Sequence, residues 1–164
     1  MFLSSLRVDT LVALLALGAL SSGVSAECSG EPSTAGRLSV DGGEVFDRET
    51  GLVWARCSVG MTWVEGKGCT GSATRMSWPQ ANRAAWPDGW RLPSLEELQT
   101  LVAENCRNPS LDARVFPKTV PDSYWTNRPG VSYCWFNHFC NDRDDDDDGN
   151  WYTTGAVRLV RGAR

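Results

Sequence analysis

The chain has 164 residues and a formal net charge of −4 at pH 7, and it contains six cysteines, eight tryptophans and a single histidine. No stripe of basic residues is available to follow a phosphate backbone, so the composition argues against nucleic-acid binding. His138 is the only imidazole base and no nucleophile motif accompanies it, so we expect a protein that is not an enzyme.

Residues 1–26 have the layout of a cleavable secretory signal. Arg7 precedes an apolar stretch from Leu11 to Leu20, and small residues lead up to Ala26. The apolar stretch is shorter than the roughly 20 residues that span a bilayer. We therefore expect a secreted or periplasmic protein without a transmembrane segment, the alternative for these residues being a loose N-terminal helix.

All six cysteines follow the predicted signal, and an even number in an oxidising compartment predicts a disulfide framework. The sequence alone does not determine the connectivity. A structural zinc site is disfavoured, because the chain has no Cys-x-x-Cys pair and only one histidine. Local spacing favours Cys57 with Cys69 and Cys134 with Cys140, which leaves Cys28 for Cys106.

Residues 27–43 are rich in serine, glycine and proline, which predicts an irregular lead-in to a single domain over 44–164. The β-prone segments Glu44–Phe46 and Leu52–Ala55 then predict a hairpin, with the turn at 49–51. Between Cys57 and Cys69 the sequence predicts a glycine-containing loop over 58–68, held closed by the disulfide.

Two helices follow, each with a capping box at its start. Ser77 and Gln80 begin the first helix, with Pro79 in its first turn. Ser94 and Glu97 begin the second, which we expect to run to about residue 105. The second helix carries one apolar face, formed by Leu95, Leu98, Leu101 and Val102.

Beyond residue 121 the sequence predicts short strands near 124–126, 133–136 and 156–160, with a long polar loop before the last strand. Trp125, Trp135 and Trp151 flank the polar loops. A partly exposed aromatic ring there would offer a flat face to a sugar or a protein, and burial in the core is the equal alternative. Trp90 and Arg91, in contrast, are interpreted as structural.

The aspartate run over 142–148 raises the question of a metal. Asp144, Asp146 and Asp148 alternate before Gly149, a pattern that calcium loops use. Gly155 stands where a complete EF-hand loop has an acidic residue, so a solvated acidic loop is the competing interpretation. No cofactor other than calcium is expected.

Several ordered motifs resemble the Lcl C-terminal domain family, named after the terminal domain of a bacterial collagen-like adhesin. The resemblance covers about residues 44–161, although this chain has no Gly-X-Y collagen tract. The motifs are Thr50-Gly51-Leu52-Val53-Trp54, Cys57-Ser58-Val59-Gly60 with Trp63, Gly89-Trp90-Arg91-Leu92-Pro93 with Glu97-Leu98, Tyr124-Trp125-Thr126 and Val157-Arg158-Leu159-Val160-Arg161.

The resemblance implies an α+β, C-type lectin-like fold, related to that of the formylglycine-generating enzymes. In such a fold two helices flank small antiparallel sheets and the terminal strands pair, in this chain residues 52–54 with 157–160. The expected function is a secreted or periplasmic module of the cell surface or envelope that recognises a glycan or a protein. A structural envelope protein without a separable ligand is the alternative, and an enzyme is the third.

Overall fold

The structure is a computed structural model that describes residues 27–136 and 154–163. The predicted signal over 1–26 and the acidic run over 142–148 lie outside these ranges. In chain order, the strands of the described residues are β1 Glu27–Cys28, β2 Leu38–Asp41, β3 Glu44–Asp47, β4 Leu52–Ala55, β5 Met61–Val64, β6 Gly68–Gly71, β7 Met76–Ser77, β8 Cys106–Arg107, β9 Tyr124–Trp125, β10 Ser132–Tyr133, β11 Thr154–Gly155 and β12 Val160–Gly162; the helices are α1 Trp78–Arg83 and α2 Leu95–Thr100, with a 3-10 turn at Pro87–Gly89.

The architecture is α+β, with short antiparallel sheets and two short helices. Four strands form the largest sheet, in the order β12-β4-β3-β2, and the pairs β1-β8, β5-β6, β7-β11 and β9-β10 form small two-stranded sheets. Within the described ranges no helix is long and apolar enough to cross a membrane.

The largest sheet confirms the predicted hairpin and the predicted pairing of the terminal strand. β3 and β4 are antiparallel and joined by a turn at Gly51, whose φ of 69° is one that glycine adopts without strain. β12 pairs with β4 through Val160 opposite Trp54 and Gly162 opposite Leu52. The pairing therefore uses residues 160–162 rather than the predicted 157–160.

Before β12, the Leu159 carbonyl still accepts from the Ala55 N–H of β4 at 3.0 Å, but the backbone of Ala156 and Val157 bonds elsewhere, to residues near Tyr124 and to Val59. The segment 156–160 runs between two hydrophobic clusters. Ala156, Arg158 and Val160 are all fully buried, and Ala156 and Val160 belong to the main core. Val157 and Leu159 pack into a second, smaller cluster on the other side. The alternating pattern of this segment thus has both of its faces occupied, as expected when successive side chains point to opposite sides.

The main core joins the largest sheet to α2 and to the segment that precedes β9. The second cluster joins α1 to the tail of the chain. Buried members of the main core are Val45, Trp54, Leu98, Leu101, Leu111, Phe116, Tyr124, Trp135, Phe136, Ala156 and Val160. Buried members of the second cluster are Ala81, Leu92, Trp125 and Val157.

The disulfides confirm two of the three favoured pairings. Cys28 and Cys106 lie directly opposite each other on β1 and β8 and are bonded. Cys57 is bonded to Cys69 on β6. Cys134 is also disulfide-bonded, whereas its predicted partner Cys140 lies outside the described residues.

Both predicted helices begin where expected, but the second is shorter than predicted. The Gln80 side chain accepts from the Ser77 N–H at 2.8 Å, and the Ser94 hydroxyl accepts from the Glu97 N–H at 3.1 Å. Helix α2 ends at Thr100 rather than near residue 105. Beyond it the chain turns to place β8 against β1, a long-range pairing that overrides local helix propensity.

Two segments predicted to be irregular contain strands. β1 and β2 lie within 27–43, and the predicted loop over 58–68 contains β5 and the start of β6, with which β5 forms a hairpin. β1 and β2 are stabilised by partners elsewhere in the chain, so their own composition does not reveal them. The β5-β6 hairpin is supported by the disulfide and by Arg56, whose guanidinium lies 3.8 Å from the centre of the Trp63 ring.

Candidate ligand-binding cleft

The structure buries the two described tryptophans that flank the predicted binding loops. Trp125 is 7% exposed and Trp135 is 1% exposed. The Trp125 indole N–H donates to the Met76 carbonyl at 2.7 Å, and the Trp135 ring packs against Tyr124 at 4.9 Å. Of the two interpretations of these residues, core packing is therefore the one that the structure supports.

The other predicted site residues lie outside the described ranges. Trp151 and the calcium candidates Asp144, Asp146 and Asp148 are among them. Over 27–136 and 154–163, no group of three or more histidine, cysteine, aspartate or glutamate residues is arranged to hold a metal ion.

The most recognisable motif, at 89–93, has a structural role. The Arg91 guanidinium contacts the Glu97 carboxylate at 2.6 Å, and the Arg161 guanidinium lies 5.0 Å from the centre of the Trp90 ring. Hydrogen bonds from Arg91 hold the pKa of Glu97 below its usual value. Arg91 also exchanges two backbone hydrogen bonds with Val160, so the motif covers the outer edge of β12.

Arg158, from the terminal motif, lies fully buried in the main core. Its guanidinium is surrounded by the rings of Phe116, Tyr124 and Trp135 at 4.8, 5.6 and 5.9 Å. Burial lowers its pKa from the ordinary arginine value. Its nitrogens donate to the Ala55 carbonyl at 2.8 Å, to the Arg56 carbonyl at 2.6 Å and to the Thr119 hydroxyl at 2.9 Å.

Through Thr119, Arg158 connects the main core to a segment that forms one side of a cleft at the protein surface. Thr119, held by Arg158, donates to the Phe116 carbonyl at 2.9 Å, and the Val120 N–H donates to the Tyr124 hydroxyl at 3.2 Å. Residues 118–122 are thereby fixed as one wall of the cleft, and the β5-β6 hairpin with residues 72–75 forms the other. The cleft has a volume of about 460 Å³ and is lined by Met61, Gly71, Ser72, Ala73, Arg75, Lys118, Val120, Pro121 and Asp122.

An ion pair crosses the cleft. Arg75 Nε lies 2.8 Å from Asp122 Oδ2, and Arg75 Nη2 donates to Asp122 Oδ1 at 3.0 Å and to the Thr154 carbonyl at 3.1 Å. Burial raises the pKa of Asp122, and this effect outweighs the opposing influence of Arg75. A carboxylate that is held in its charged form against a desolvation penalty interacts strongly with any donor that enters the cleft.

Lys118 supplies a second cation at the rim. Its side chain is exposed, and it has no hydrogen-bond or ion-pair partner among residues 27–136 and 154–163. Its backbone φ of 55° lies in the left-handed region, which non-glycine residues adopt only where the surroundings hold them there. The contacts of Thr119 and Val120 provide that support.

The size and lining of the cleft are those of a ligand site. The walls combine the apolar surfaces of Met61, Val120 and Pro121 with two cations and one carboxylate. Concave sites of this size that are mostly apolar, with a few convergent polar groups, are the usual form of ligand sites. The cleft also lies next to Thr154, whose carbonyl accepts from Arg75.

The amino-acid sequence gives little indication of this cleft. Arg75 and Asp122 are 47 residues apart, and neither belongs to a recognised motif. The only local indication is the segment 117–122, in which two prolines bracket a lysine and precede an aspartate. Such a segment predicts a turn but not a partner across a cleft.

Comparison with known proteins identifies one match. The model of the Lcl C-terminal domain family matches residues 43–161, which is most of the chain. No curated protein and no solved structure matches this chain.

Proposed function

The chain belongs to the Lcl C-terminal domain family, and we propose that it is a recognition module that binds a glycan or a protein partner in the cleft between Arg75 and Lys118. One observation carries the proposal. The cleft places an ion pair, in which Asp122 is 14% and Arg75 59% exposed, and an exposed lysine between apolar walls.

The finer fold assignment is part of the same proposal. We propose a C-type lectin-like fold, supported by two short helices beside small antiparallel sheets and by the return of the terminal strand to β4. The disulfides support an exported protein, because such bonds persist in oxidising compartments. The composition of residues 1–26 supports the same localisation.

Calcium remains a separate prediction. Asp144, Asp146 and Asp148 would supply oxygen ligands to a hard cation, with affinity at the weak end of the extracellular range, about 10⁻⁴–10⁻³ M.

The test of the binding proposal is an array experiment on the exported protein. Glycan and protein arrays are probed in calcium and in chelator, with the wild type and with Lys118→Gln. Lys67→Gln is the matched control, because Lys67 is an exposed lysine of the β5-β6 hairpin that does not line the cleft. We expect a ligand that loses binding with Lys118→Gln and keeps it with Lys67→Gln. The proposal is wrong if no ligand binds or if both variants behave alike.

The alternative function is that of a structural envelope protein without a separable ligand. It is supported by the burial of Trp54, Trp125 and Trp135, because these rings pack in the core rather than at the surface. It predicts that deletion of the gene weakens the envelope, and that the Lys118→Gln protein restores the envelope as well as the wild type does. Complementation of a deletion strain with Lys118→Gln distinguishes the two functions, because only a ligand-binding role requires Lys118.

A further inference from the structure

The largest sheet has one open edge among the described residues. β12, at one side, is covered by the backbone bonds between Val160 and Arg91. β2, at the other side, pairs only with β3 within the described chain. An unpaired edge presents a row of N–H and C=O groups that another strand can use.

The register shows which groups face outward. The Arg48 N–H bonds to the Arg37 carbonyl, and hydrogen-bonded pairs alternate along an antiparallel ladder. The peptide groups of Ser39 and Asp41 therefore point to β3, and those of Leu38 and Val40 point away. The Leu38 N–H bonds to the Thr34 carbonyl at 3.4 Å. The Leu38 carbonyl and both peptide groups of Val40 are left for a partner.

β2 lacks two of the features that usually protect an edge. The strand has no proline and no lysine, and its only charge, Asp41, is at its end. Val40 is 51% exposed, and the other exposed large apolar residue of the described chain, Phe46 at 39%, lies on the adjacent β3. Exposed apolar residues beside an open edge are typical of an interaction surface.

A groove runs beside this edge. It has a volume of about 340 Å³, and Leu38, Val40 and Val115 provide apolar surface within it. Thr34 also lines it; this residue is only 3% exposed, and its hydroxyl oxygen has no hydrogen-bond partner. The groove therefore offers apolar surface to a side chain of a strand placed along β2.

The walls of the groove are rigid before any partner binds. The Cys28–Cys106 disulfide and the bond from the Ser33 N–H to the Asn105 side chain, at 2.8 Å, hold one wall. Arg56 holds the other, donating to the Val115 carbonyl at 2.9 Å and to the Arg114 carbonyl at 3.0 Å. A preformed groove loses little entropy when it is filled.

The charges around the edge favour a basic occupant. Glu31 and Asp112 share the single cation of Arg114, at 2.9 and 3.1 Å, which leaves an excess of one negative charge. Asp41, at the other end of β2, has no cation partner among the described residues. Of the nearby cations, Arg37 is paired with both Asp47 and Glu49, at 3.1 and 3.2 Å, and Arg48 donates to the Gly36 carbonyl at 3.0 Å.

We propose that β2 binds an extended segment of a partner protein, which adds to the sheet as a fifth strand. The segment carries a small apolar side chain that enters the groove between Val40 and Val115, and basic residues toward Glu31 and Asp41. Backbone hydrogen bonds to Leu38 and Val40 supply affinity, and the groove supplies specificity, as in other cases of strand addition. This site is separate from the cleft at Arg75.

The test uses a fluorescein-labelled octapeptide with lysine at both ends and alternating valine and threonine between them. Two control peptides keep its length: one is N-methylated at alternate residues, and the other has glutamate at both ends. We expect the first control to bind at least about tenfold more weakly, because it lacks the backbone donors. The glutamate peptide should also bind more weakly, because it meets the acidic ends of the edge.

Hydrogen exchange locates the site without any substitution. The Val40 amide should exchange quickly in the protein alone and slowly with the lysine-flanked peptide, whereas the Ser39 and Asp41 amides should be protected in both states. Val40→Pro, which removes an N–H that β3 does not use, should abolish peptide binding. Phe46→Ala is the control, because Phe46 is similarly exposed but not on the edge.

Three results would overturn the proposal. The first is no binding of the lysine-flanked peptide up to millimolar concentration. The second is equal binding of the N-methylated peptide, or a Val40 amide that stays unprotected, since either would show attraction by charge alone. The third is a dimer of the protein alone that Val40→Pro abolishes, because a second copy would then be the occupant rather than a foreign segment.

Discussion

Two arginine–carboxylate pairs of similar geometry behave in opposite ways. Arg91 contacts Glu97 at 2.6 Å, at the start of α2, and Arg75 contacts Asp122 at 2.8 Å, in the cleft. The pKa of Glu97 is lowered from its ordinary value, whereas that of Asp122 is raised. The charged form of Glu97 is therefore favoured by its surroundings, whereas that of Asp122 carries a net penalty from burial despite its contact with Arg75.

The surroundings explain the difference. The Glu97 carboxylate accepts from two Arg91 nitrogens and from the Ser94 N–H at 2.7 Å, so its charge is well satisfied. At Asp122 the desolvation penalty is larger than the gain from Arg75 and from the Ser123 N–H. Charges that a fold keeps at such a cost are frequently found at functional sites. The comparison thus separates a structural pair from a candidate binding pair.

The largest expected effect is on stability at the structural pair. Glu97→Ala removes the capping box and the bonds to Arg91, and we expect a loss of about 2 kcal/mol in the free energy of unfolding. Urea denaturation measures it. The control is Glu96→Ala, one residue earlier on the exposed face, which should change stability by less than about 0.5 kcal/mol. Equal losses in the two variants would show that the pair has no special role.

The second effect, at the cleft, should be on binding rather than on folding. Asp122→Asn removes a charge that burial disfavours, so we expect the free energy of unfolding to change by less than about 1 kcal/mol. Affinity for the ligand found on the array should fall by about tenfold or more, because the ion pair is broken. A strongly destabilised Asp122→Asn protein would mean that this pair is structural as well.

The third effect is a difference in pH dependence. Because the folded-state pKa of Glu97 is lowered, its contribution to stability is present above the unfolded value of 4.5 and is lost as the pH falls through the lower folded value. The folded-state pKa of Asp122 is raised instead, so the ionised carboxylate destabilises the fold. This penalty is relieved as the pH falls through the raised folded-state pKa toward the unfolded value of 3.8.

Urea midpoints between pH 7 and pH 3 check these signs. The advantage of the wild type over Glu97→Gln should shrink only at the acidic end of this range. The stability of the wild type relative to Asp122→Asn should instead rise as the pH falls. Parallel curves for all three proteins would contradict the assigned pKa directions.

The smallest expected effect is on the stability of Lys118→Gln. Its side chain is exposed, so the free energy of unfolding should match that of Lys67→Gln within about 0.5 kcal/mol. Circular dichroism melts of the two variants provide the measurement. A lower melting temperature for Lys118→Gln alone would indicate that the lysine supports the left-handed turn, and any loss of binding would then have a structural cause.

Much of the local structure could be predicted from the sequence. The capping boxes at Ser77 and Ser94, the turn at Gly51 and the Cys57–Cys69 disulfide all depend on residues that are close in the chain. Each of these features forms between groups that are at most about a dozen residues apart, so a short stretch of sequence is enough to predict it. The family motifs likewise indicated that the terminal strand returns to β4.

Only the tertiary structure decided the rest. The burial of Trp125 and Trp135, the strand β2 in a serine- and glycine-rich segment, and the meeting of Arg75 with Asp122 across 47 residues have no local indication. Exposure and pKa are set by the neighbours that packing brings together, and a one-dimensional pattern does not contain those distances. The capping box at Glu97 was therefore readable from the sequence, whereas its contact with Arg91 and the cleft were not.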